Sequence, residues 1–385
     1  NGGTRGLGFQ NSVYAGNVRP VTIGSCASCD ATSIATLGLY TGASTATVNL
    51  IGDQAGFAAG TTKKVDTSGA VSIQPFTSTG FTGNFDWTGL TYANVSSITE
   101  GAAGKAGNLT FSNSNTYAGP VTVTTTGTIN AGGGGVTVSI RDDVNFTGSS
   151  VTVSGTFITT SGNMYFTSTG STTLYGPMSS AGSLTAVGSS IATGAGTVTA
   201  VGPVSLTATS SIMLTGNIVV TGAGNSLLAK TPGSIAIWNG ATFQTNNGDM
   251  VFWSNSLAGN AANSIWINTS AGGSNSFNTA NGSTTQTTGG GRLVFAGGLD
   301  NGANGGVAGD NIPDGFSYTN GASTAGLRFG TSGITSSTLN IYTGGGNFIA
   351  RGQTTTDKGF VQFGGLNLNT GTGTISITGV TSANF

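Results

Sequence analysis

Residues 120–157 read PVTVTTTGTINAGGGGVTVSIRDDVNFTGSSVTVSGTF. The triplet Val-Thr-Val occurs three times in this stretch, at residues 121–123, 136–138 and 151–153, so each copy begins 15 residues after the previous one. Alternation of valine and threonine is typical of a β-strand with one buried face, because successive side chains of a strand point to opposite sides. Glycine and asparagine between the triplets indicate sharp turns, where the backbone takes positive φ angles.

Charge is scarce along the whole chain. Of the 385 residues, 6% are charged and none is histidine, Glu100 is the single glutamate, and the formal net charge is −1. No charged residue occurs between Val144 and Ala229. A basic patch, which a nucleic-acid-binding protein needs, is missing, and no apolar run reaches the ~18–20 residues of a membrane helix. We therefore expect no nucleic-acid partner and no membrane insertion, and the 36% of hydrophobic residues argues against disorder.

Other short strands recur along the chain with drifting spacing. The segment GSLTAVG at 182–188 returns as GTVTAVG at 196–202, and each strand is closed by Gly, Asn or Gly-Pro. Such self-similarity indicates stacked repeats. The sequence predicts an all-β fold, a parallel β-helix (β-solenoid) with coils of ~20–30 residues. The alternative is a string of tandem β-sandwich domains, which also have short strands at regular intervals.

Two regions differ in regularity. Residues 1–110 form a less regular β region, which we interpret as decorated solenoid coils carrying a Cys-x-x-Cys loop. Residues 111–385 are expected to form regular solenoid repeats, with a loop-rich stretch near 289–330.

The degenerate repeats resemble those of a known family. GSLTAVGSSIATGAGTVTAVGPVSLTATSSIMLTGNIVVTGAG at 182–224, together with LNIYTGGGNFIARG at 339–352 and LNLNTGTGTISITG at 366–379, looks like the repeats of filamentous-haemagglutinin-type proteins, giant bacterial surface and secreted chains. The resemblance implies a right-handed β-helix, export across the outer membrane, and a role in adhesion or in extracellular filaments.

The two cysteines, Cys26 and Cys29, lie in GSCASCD. We interpret them as a disulfide staple on an exported protein. A redox motif and half of a zinc site are the alternatives, but zinc needs four ligands and the chain has neither histidine nor a third cysteine.

Candidate acids are few. Asp142 and Asp143 follow Arg141, and because neighbouring strand residues point to opposite faces we interpret them as turn residues rather than a catalytic pair. Asp300, Asp310 and Asp314 lie among Gly and Asn, where they could either ligate calcium or form turns. We predict no catalytic residue, no cofactor and no metal site.

Three tryptophans recur in apolar strands, Trp238, Trp253 and Trp266. They could form an aromatic strip that stacks against sugars, or each could cover the core with its large apolar surface.

These observations favour a non-enzymatic extracellular structural protein: a rod, stalk or filament segment of a bacterial surface adhesin or of a self-assembling fibre. We expect it to be secreted or at the cell surface, with partners that are further segments of the same chain or identical subunits, end to end. The alternatives are a β-helix module that binds glycans or a surface and, less favoured, a carbohydrate-active β-helix enzyme, which would need carboxylates from different coils in one groove.

Overall fold

A computed structural model of the chain describes residues 13–14, 21–23, 37–40, 48–51, 63–66, 68–75, 80–86, 90–238, 240–257, 263–320, 325–356 and 358–381. Cys26 and Cys29 lie outside these residues. The chain divides into two compact units, unit 1 with residues 1–182 and unit 2 with residues 183–385. Among the described residues the only helix is a single 3-10 turn, Ala303–Gly305, and none could span a membrane.

The strands of unit 1 are β1 (Val13–Tyr14), β2 (Val21–Ile23), β3 (Leu37–Tyr40), β4 (Val48–Ile51), β5 (Lys63–Asp66), β6 (Ala70–Gln74), β7 (Gly80–Asp86), β8 (Leu90–Ala93), β9 (Ser97–Gly101), β10 (Ala106–Phe111), β11 (Asn115–Tyr117), β12 (Val121–Thr124), β13 (Thr128–Ala131), β14 (Thr137–Ile140), β15 (Val144–Gly148), β16 (Ser150–Val153), β17 (Thr156–Thr159), β18 (Met164–Ser168), β19 (Ser171–Leu174) and β20 (Met178–Ser180).

The strands of unit 2 are β21 (Leu184–Thr193), β22 (Val198–Ala200), β23 (Val204–Leu214), β24 (Ile218–Ala223), β25 (Leu227–Lys230), β26 (Ser234–Ile237), β27 (Thr242–Asn246), β28 (Met250–Ser254), β29 (Ile265–Ile267), β30 (Ser274–Asn278), β31 (Leu293–Gly297), β32 (Ser317–Thr319), β33 (Leu327–Phe329), β34 (Thr338–Tyr342), β35 (Phe348–Thr354), β36 (Phe360–Gln362), β37 (Gly365–Asn369) and β38 (Ile375–Thr381).

Each unit is a parallel β-solenoid whose coils have three faces. In unit 1, the first face contains β9–β12–β15–β18, the second β10–β13–β16–β19 and the third β11–β14–β17–β20. In unit 2, the first face runs β21–β23–β25–β28–β31–β35–β38, the second continues from the far halves of β21 and β23 through β26–β29–β33–β36, and the third runs β22–β24–β27–β30–β34–β37. All of these pairings are parallel, and over both units the strands make about 13 turns. The predicted parallel β-solenoid is therefore confirmed, and the tandem-sandwich alternative is wrong.

The coil is longer than the 15-residue spacing of the Val-Thr-Val triplets. The first triplet lies in β12 on the first face, the second overlaps β14 on the third face and the last lies in β16 on the second face. Register pairs Val121 with Val144 and Val144 with Met164, so these coils take 23 and 20 residues. Each triplet therefore lies two faces further along the solenoid than the previous one, and the predicted coil length of ~20–30 residues is confirmed for these coils.

Alternation places aliphatic and aromatic side chains inside and hydroxyl side chains outside. In β12, Val121 and Val123 are fully buried while Thr122 and Thr124 are partly exposed. Phenylalanines stack along the core, as where the ring of Phe146 lies 5.3 Å from that of Phe111 and 5.7 Å from that of Phe166. The core of each unit is therefore a column of side chains in register between coils.

Asparagine supplies the sharp corners where glycine does not. The described non-glycine residues with positive φ are all asparagines: Asn94, Asn247, Asn255, Asn281, Asn304 and Asn311, with φ between 50° and 62°. Their short amide side chain tolerates the left-handed region better than other non-glycine side chains do. This confirms the expectation that Gly and Asn form the turns.

Two coils of unit 2 carry long insertions. On the first face, Met250 pairs with Leu293, 43 residues later, and Leu293 pairs with Phe348, 55 residues later. The second insertion includes residues 298–316, which we call the acidic loop because it contains Asp300, Asp310 and Asp314. This loop covers the outer side of β28 and β31, in which every residue is buried.

Candidate functional site

The second face of unit 2 brings Trp238, Trp266 and Arg328 together, and we call these three residues the aromatic–arginine surface. Ile265 and Ile267 are fully buried, so Trp266 between them points out of β29. Arg328 points out of β33 for the same reason, and the register places it directly opposite Trp266.

The three side chains form one stack. The Trp238 and Trp266 rings lie 6.2 Å apart between centroids, tilted by 41°, and the guanidinium carbon of Arg328 lies 4.0 Å from the centroid of the Trp266 ring. Trp238 is 40% exposed. A guanidinium over an indole face is a favourable cation–π arrangement.

Two donors in this stack have no acceptor among the described residues. They are the indole Nε1 of Trp266 and the Nε of Arg328, both buried. Burial also lowers the pKa of Arg328 below its ordinary value, because removal of water disfavours the charged form. The surface therefore presents π faces and a partly exposed guanidinium, with the two unpaired N–H groups beneath it, and these three residues supply no acid or base.

Trp253 lies on a different face. It is 4% exposed, its Nε1 donates to the carbonyl of Gly298 at 2.7 Å, and the Nζ of Lys230 lies 3.6 Å from its ring centroid. It belongs to a small hydrophobic cluster outside the solenoid core, made of Val251, Trp253, Val294, Ala296 and Ile312. The structure thus brings Trp238 and Trp266 together and leaves Trp253 under the acidic loop.

The aspartates of the acidic loop organise its backbone. Asp314 is 1% exposed, and its Oδ2 accepts from the backbone N–H groups of Asn301 at 2.8 Å and Gly302 at 2.6 Å. The two oxygens of Asp300 accept from the backbone N–H groups of Gly309 and Asn311. Among the described residues, no group of three or more His, Cys, Asp or Glu side chains could hold a metal ion.

Arg292 ties the base of this loop to the solenoid. Its guanidinium donates to Asp249 through Nε at 3.1 Å and Nη2 at 2.8 Å, and to Asp310 through Nη1 at 2.9 Å. The hydrogen bond to Asp249 is the main reason that the pKa of Arg292 is raised, although burial opposes it. Both carboxylates are thereby engaged by one arginine.

Asp142 and Asp143 lie in a bend between β14 and β15. The Oδ1 of Asp143 accepts from the backbone N–H of Asn163 at 2.7 Å, and the Oδ1 of Asp142 accepts from Ser161 Oγ at 3.2 Å. Both acids therefore join their coil to the next one.

Sequence reasoning missed the place of Glu100, which is fully buried in unit 1. Register places it between Ile73 and Val123, two inward positions. Burial and then nearby charge raise the pKa of the adjacent Tyr92 and Tyr117, with Glu100 contributing to both shifts. The alternation in SITEG already places Glu100 on the same side of β9 as Ile98, which is the signal that could have found it.

The pairing of Arg328 with Trp266 was also missed. The two residues are far apart in sequence, and only the register of β29 against β33 brings them into contact. Comparison of the chain with models of protein families, with curated proteins and with solved structures found no match.

Proposed function

We propose that the chain is a non-enzymatic structural segment of an extracellular bacterial protein: part of a rod, stalk or filament in a surface adhesin or self-assembling fibre. The proposal is supported by the parallel ladders, in which the main chain of each coil hydrogen-bonds to the coils on either side. Such stacking extends by adding coils and needs neither charge nor metal.

One observation carries this proposal, the exposure of inward positions in the coil built from β36, β37 and β38. Ile375 is 53% exposed and Ile377 is 41% exposed, although they pair with the buried Phe348 and Ala350 of the preceding coil. A further coil, from more of the same chain or from an identical subunit, would cover both isoleucines and pair with the edge of β38 that has no partner strand among the described residues.

Sedimentation velocity and negative-stain electron microscopy over a range of protein concentrations test this contact. We expect end-to-end assemblies whose mass increases with concentration. The double change Ile375→Lys and Ile377→Lys should abolish them, because charge at inward positions opposes coil stacking. Ser376→Lys, at the neighbouring outward position, is the matched control and should assemble as the unchanged chain does. Isolated compact monomers at high concentration would contradict the proposal.

The extracellular location and the relation to filamentous-haemagglutinin-type proteins belong to the same proposal. They are supported by the likeness of the repeats and by the Cys26–Cys29 pair, which suits an oxidising compartment. Immunogold labelling of intact cells of the source organism should place the chain outside the cell, and labelling confined to the cytoplasm would contradict the proposed location.

A second candidate function is glycan binding at the aromatic–arginine surface. The observation in its favour is the exposure of Trp238 beside Trp266, because exposed paired indoles suit stacking against sugar rings. This function is compatible with a structural role, since a solenoid presents its outer faces along its length.

A further inference from the structure

The described residues include two cation–π pairs in different environments, and the contrast points to a ligand. Lys230 lies over Trp253, whose indole N–H is bonded to Gly298 beneath the acidic loop. Arg328 lies over Trp266, whose indole N–H has no acceptor among the described residues. The fold therefore supplies an acceptor for the indole N–H of Trp253 and none for that of Trp266.

The aromatic–arginine surface carries an uncompensated positive charge. The Nε of Arg328 and the Nε1 of Trp266 are buried without an acceptor, and the partly exposed guanidinium of Arg328 makes no ion pair among the described residues. Arginine nevertheless stays charged at neutral pH. A partner that complements this surface must therefore bring acceptor oxygens and negative charge, which a carboxylate supplies in the geometry that arginine prefers.

Arg328 is the single charged residue in a long column of outward side chains on the second face. Register aligns the outward residues of five successive coils in one column: Met213, Ala236, Trp266, Arg328 and Val361. Adjacent strands are ~4.8 Å apart, so the column is an open stripe ~20 Å long rather than a cavity. An extended polymer lying along the stack fits it better than a small molecule does.

We propose that the aromatic–arginine surface binds a carboxylated polysaccharide, with a sugar ring stacked on the exposed Trp238 beside Trp266 and a uronate-type carboxylate on the guanidinium of Arg328. The inference rests on glycan binding, the second function proposed above, and adds the chemical class of the glycan. Stacking on the indole supplies apolar contact with acidic and neutral sugar rings alike, while the arginine distinguishes acidic from neutral sugars.

The test compares oligogalacturonates with their fully methyl-esterified counterparts, which keep the sugar ring and lose the charge. Binding to the whole chain is measured by titration calorimetry and by quenching of tryptophan fluorescence. We expect the acidic form to bind at least tenfold more tightly than the ester, and added salt to weaken only the acidic form. Arg328→Gln should remove that tenfold preference, and Trp238→Ala should weaken both forms.

The matched control is Lys230→Gln, which removes the other stacked cation and should leave binding unchanged. Circular dichroism and the melting temperature establish that each variant is folded. Equal affinity for the acidic and esterified forms, with no effect of Arg328→Gln, would overturn the carboxylate assignment and leave glycan stacking in place. Failure of both forms to bind, or binding that depends on Lys230 rather than Arg328, would overturn the site itself.

Discussion

At the scale of single residues, position in the alternation decides what a side chain does. Phe146 and Thr147 are neighbours in β15, yet Phe146 is 1% exposed and Thr147 is exposed. The ring of Phe146 packs against that of Phe166 in the paired strand β18 and against those of Phe111 and Phe157 on the other two faces. The same backbone therefore carries one side chain that holds coils together and one that faces solvent.

Phe146→Ala should lower the free energy of unfolding by about 3–5 kcal/mol, because it removes a buried ring and leaves a cavity between coils. Thr147→Ala, one residue away, should change it by less than about 0.5 kcal/mol. Urea denaturation followed by circular dichroism measures both. Equal effects of the two substitutions would mean that the core column contributes no more to the free energy of unfolding than the outer face does.

The buried tyrosines of unit 1 make stability depend on alkaline pH. Burial and the nearby Glu100 raise the pKa of Tyr92 and Tyr117 in the fold, whereas an unfolded tyrosine ionises near pH ~10. The stabilisation is therefore complete below that pH. Above it, the unfolded chain loses protons that the fold retains, and stability falls by about 1.4 kcal/mol per pH unit for each tyrosine.

Melting temperatures measured between pH 8 and 12 should show this decline. Combining Tyr92→Phe with Tyr117→Phe should flatten it, because phenylalanine does not ionise. Tyr175→Phe is the matched control, since Tyr175 is 52% exposed and should leave the slope unchanged. A decline equally steep in the double variant would show that other groups cause it.

Much at this scale could be predicted from the sequence. Val-Thr alternation identifies inward and outward positions, and asparagine marks corners with positive φ, as Asn281 shows with φ 52°. Both properties are local, because they depend on strand geometry and on the conformational range of one residue. The contacts of Trp266 with Arg328 could not be predicted, since they depend on the register between distant coils.

At the scale of elements, the acidic loop is a second layer on the first face of unit 2. Its Ile312 packs onto the outward side chains of Val251, Val294 and Trp253. Asp314 fixes the loop from within, and Arg351 donates to the carbonyl of Asp314 at 3.0 Å from the solenoid below. The loop is thus held by polar contacts inside and apolar contacts underneath.

Asp314→Ala should loosen this loop and expose Trp253. The substitution removes the hydrogen bonds that the buried carboxylate accepts from the backbone N–H groups of the exposed Asn301 and Gly302, and a hydrogen bond to a charged group is worth about 1.5–3 kcal/mol. Hydrogen exchange in residues 298–316 should accelerate, and acrylamide should quench tryptophan fluorescence more strongly. Val307→Ala is the control within the loop, because Val307 is 66% exposed. Unchanged exchange in Asp314→Ala would refute the role given to this carboxylate.

The elements themselves were only partly predictable. Short strands and their turns follow from composition, but the 15-residue repeat of Val-Thr-Val spans two faces of the solenoid rather than a whole coil. The coil length emerges only when strands are paired, as Val121 is with Val144. The contacts that hold the acidic loop also could not be predicted from the sequence, because Arg292 binds Asp249, which lies 43 residues earlier in the chain.

At the scale of the whole molecule, hydroxyl and amide groups replace charge on the outer faces. Thr124, Thr147 and Thr167 form one outward column on the first face of unit 1, each paired in register with the next. The three strands β12, β15 and β18 contain no charged residue, and the charged residues 141–143 lie in the bend that precedes β15. Solubility there must come from the hydroxyl groups, since a flat apolar sheet face of that size would associate with others.

Replacing all three threonines of this column with valine should therefore cause lateral association without unfolding. Valine keeps the β-branched shape and suits a strand equally well, so the melting temperature should remain within a few degrees of that of the unchanged chain. Light scattering should reveal side-by-side aggregates that appear at concentrations where the unchanged chain shows none. Replacing the same three residues with serine is the matched control, because the hydroxyl remains while the methyl group is lost. Aggregation in the serine variant, or a valine variant as soluble as the original, would show that the hydroxyl column does not set solubility.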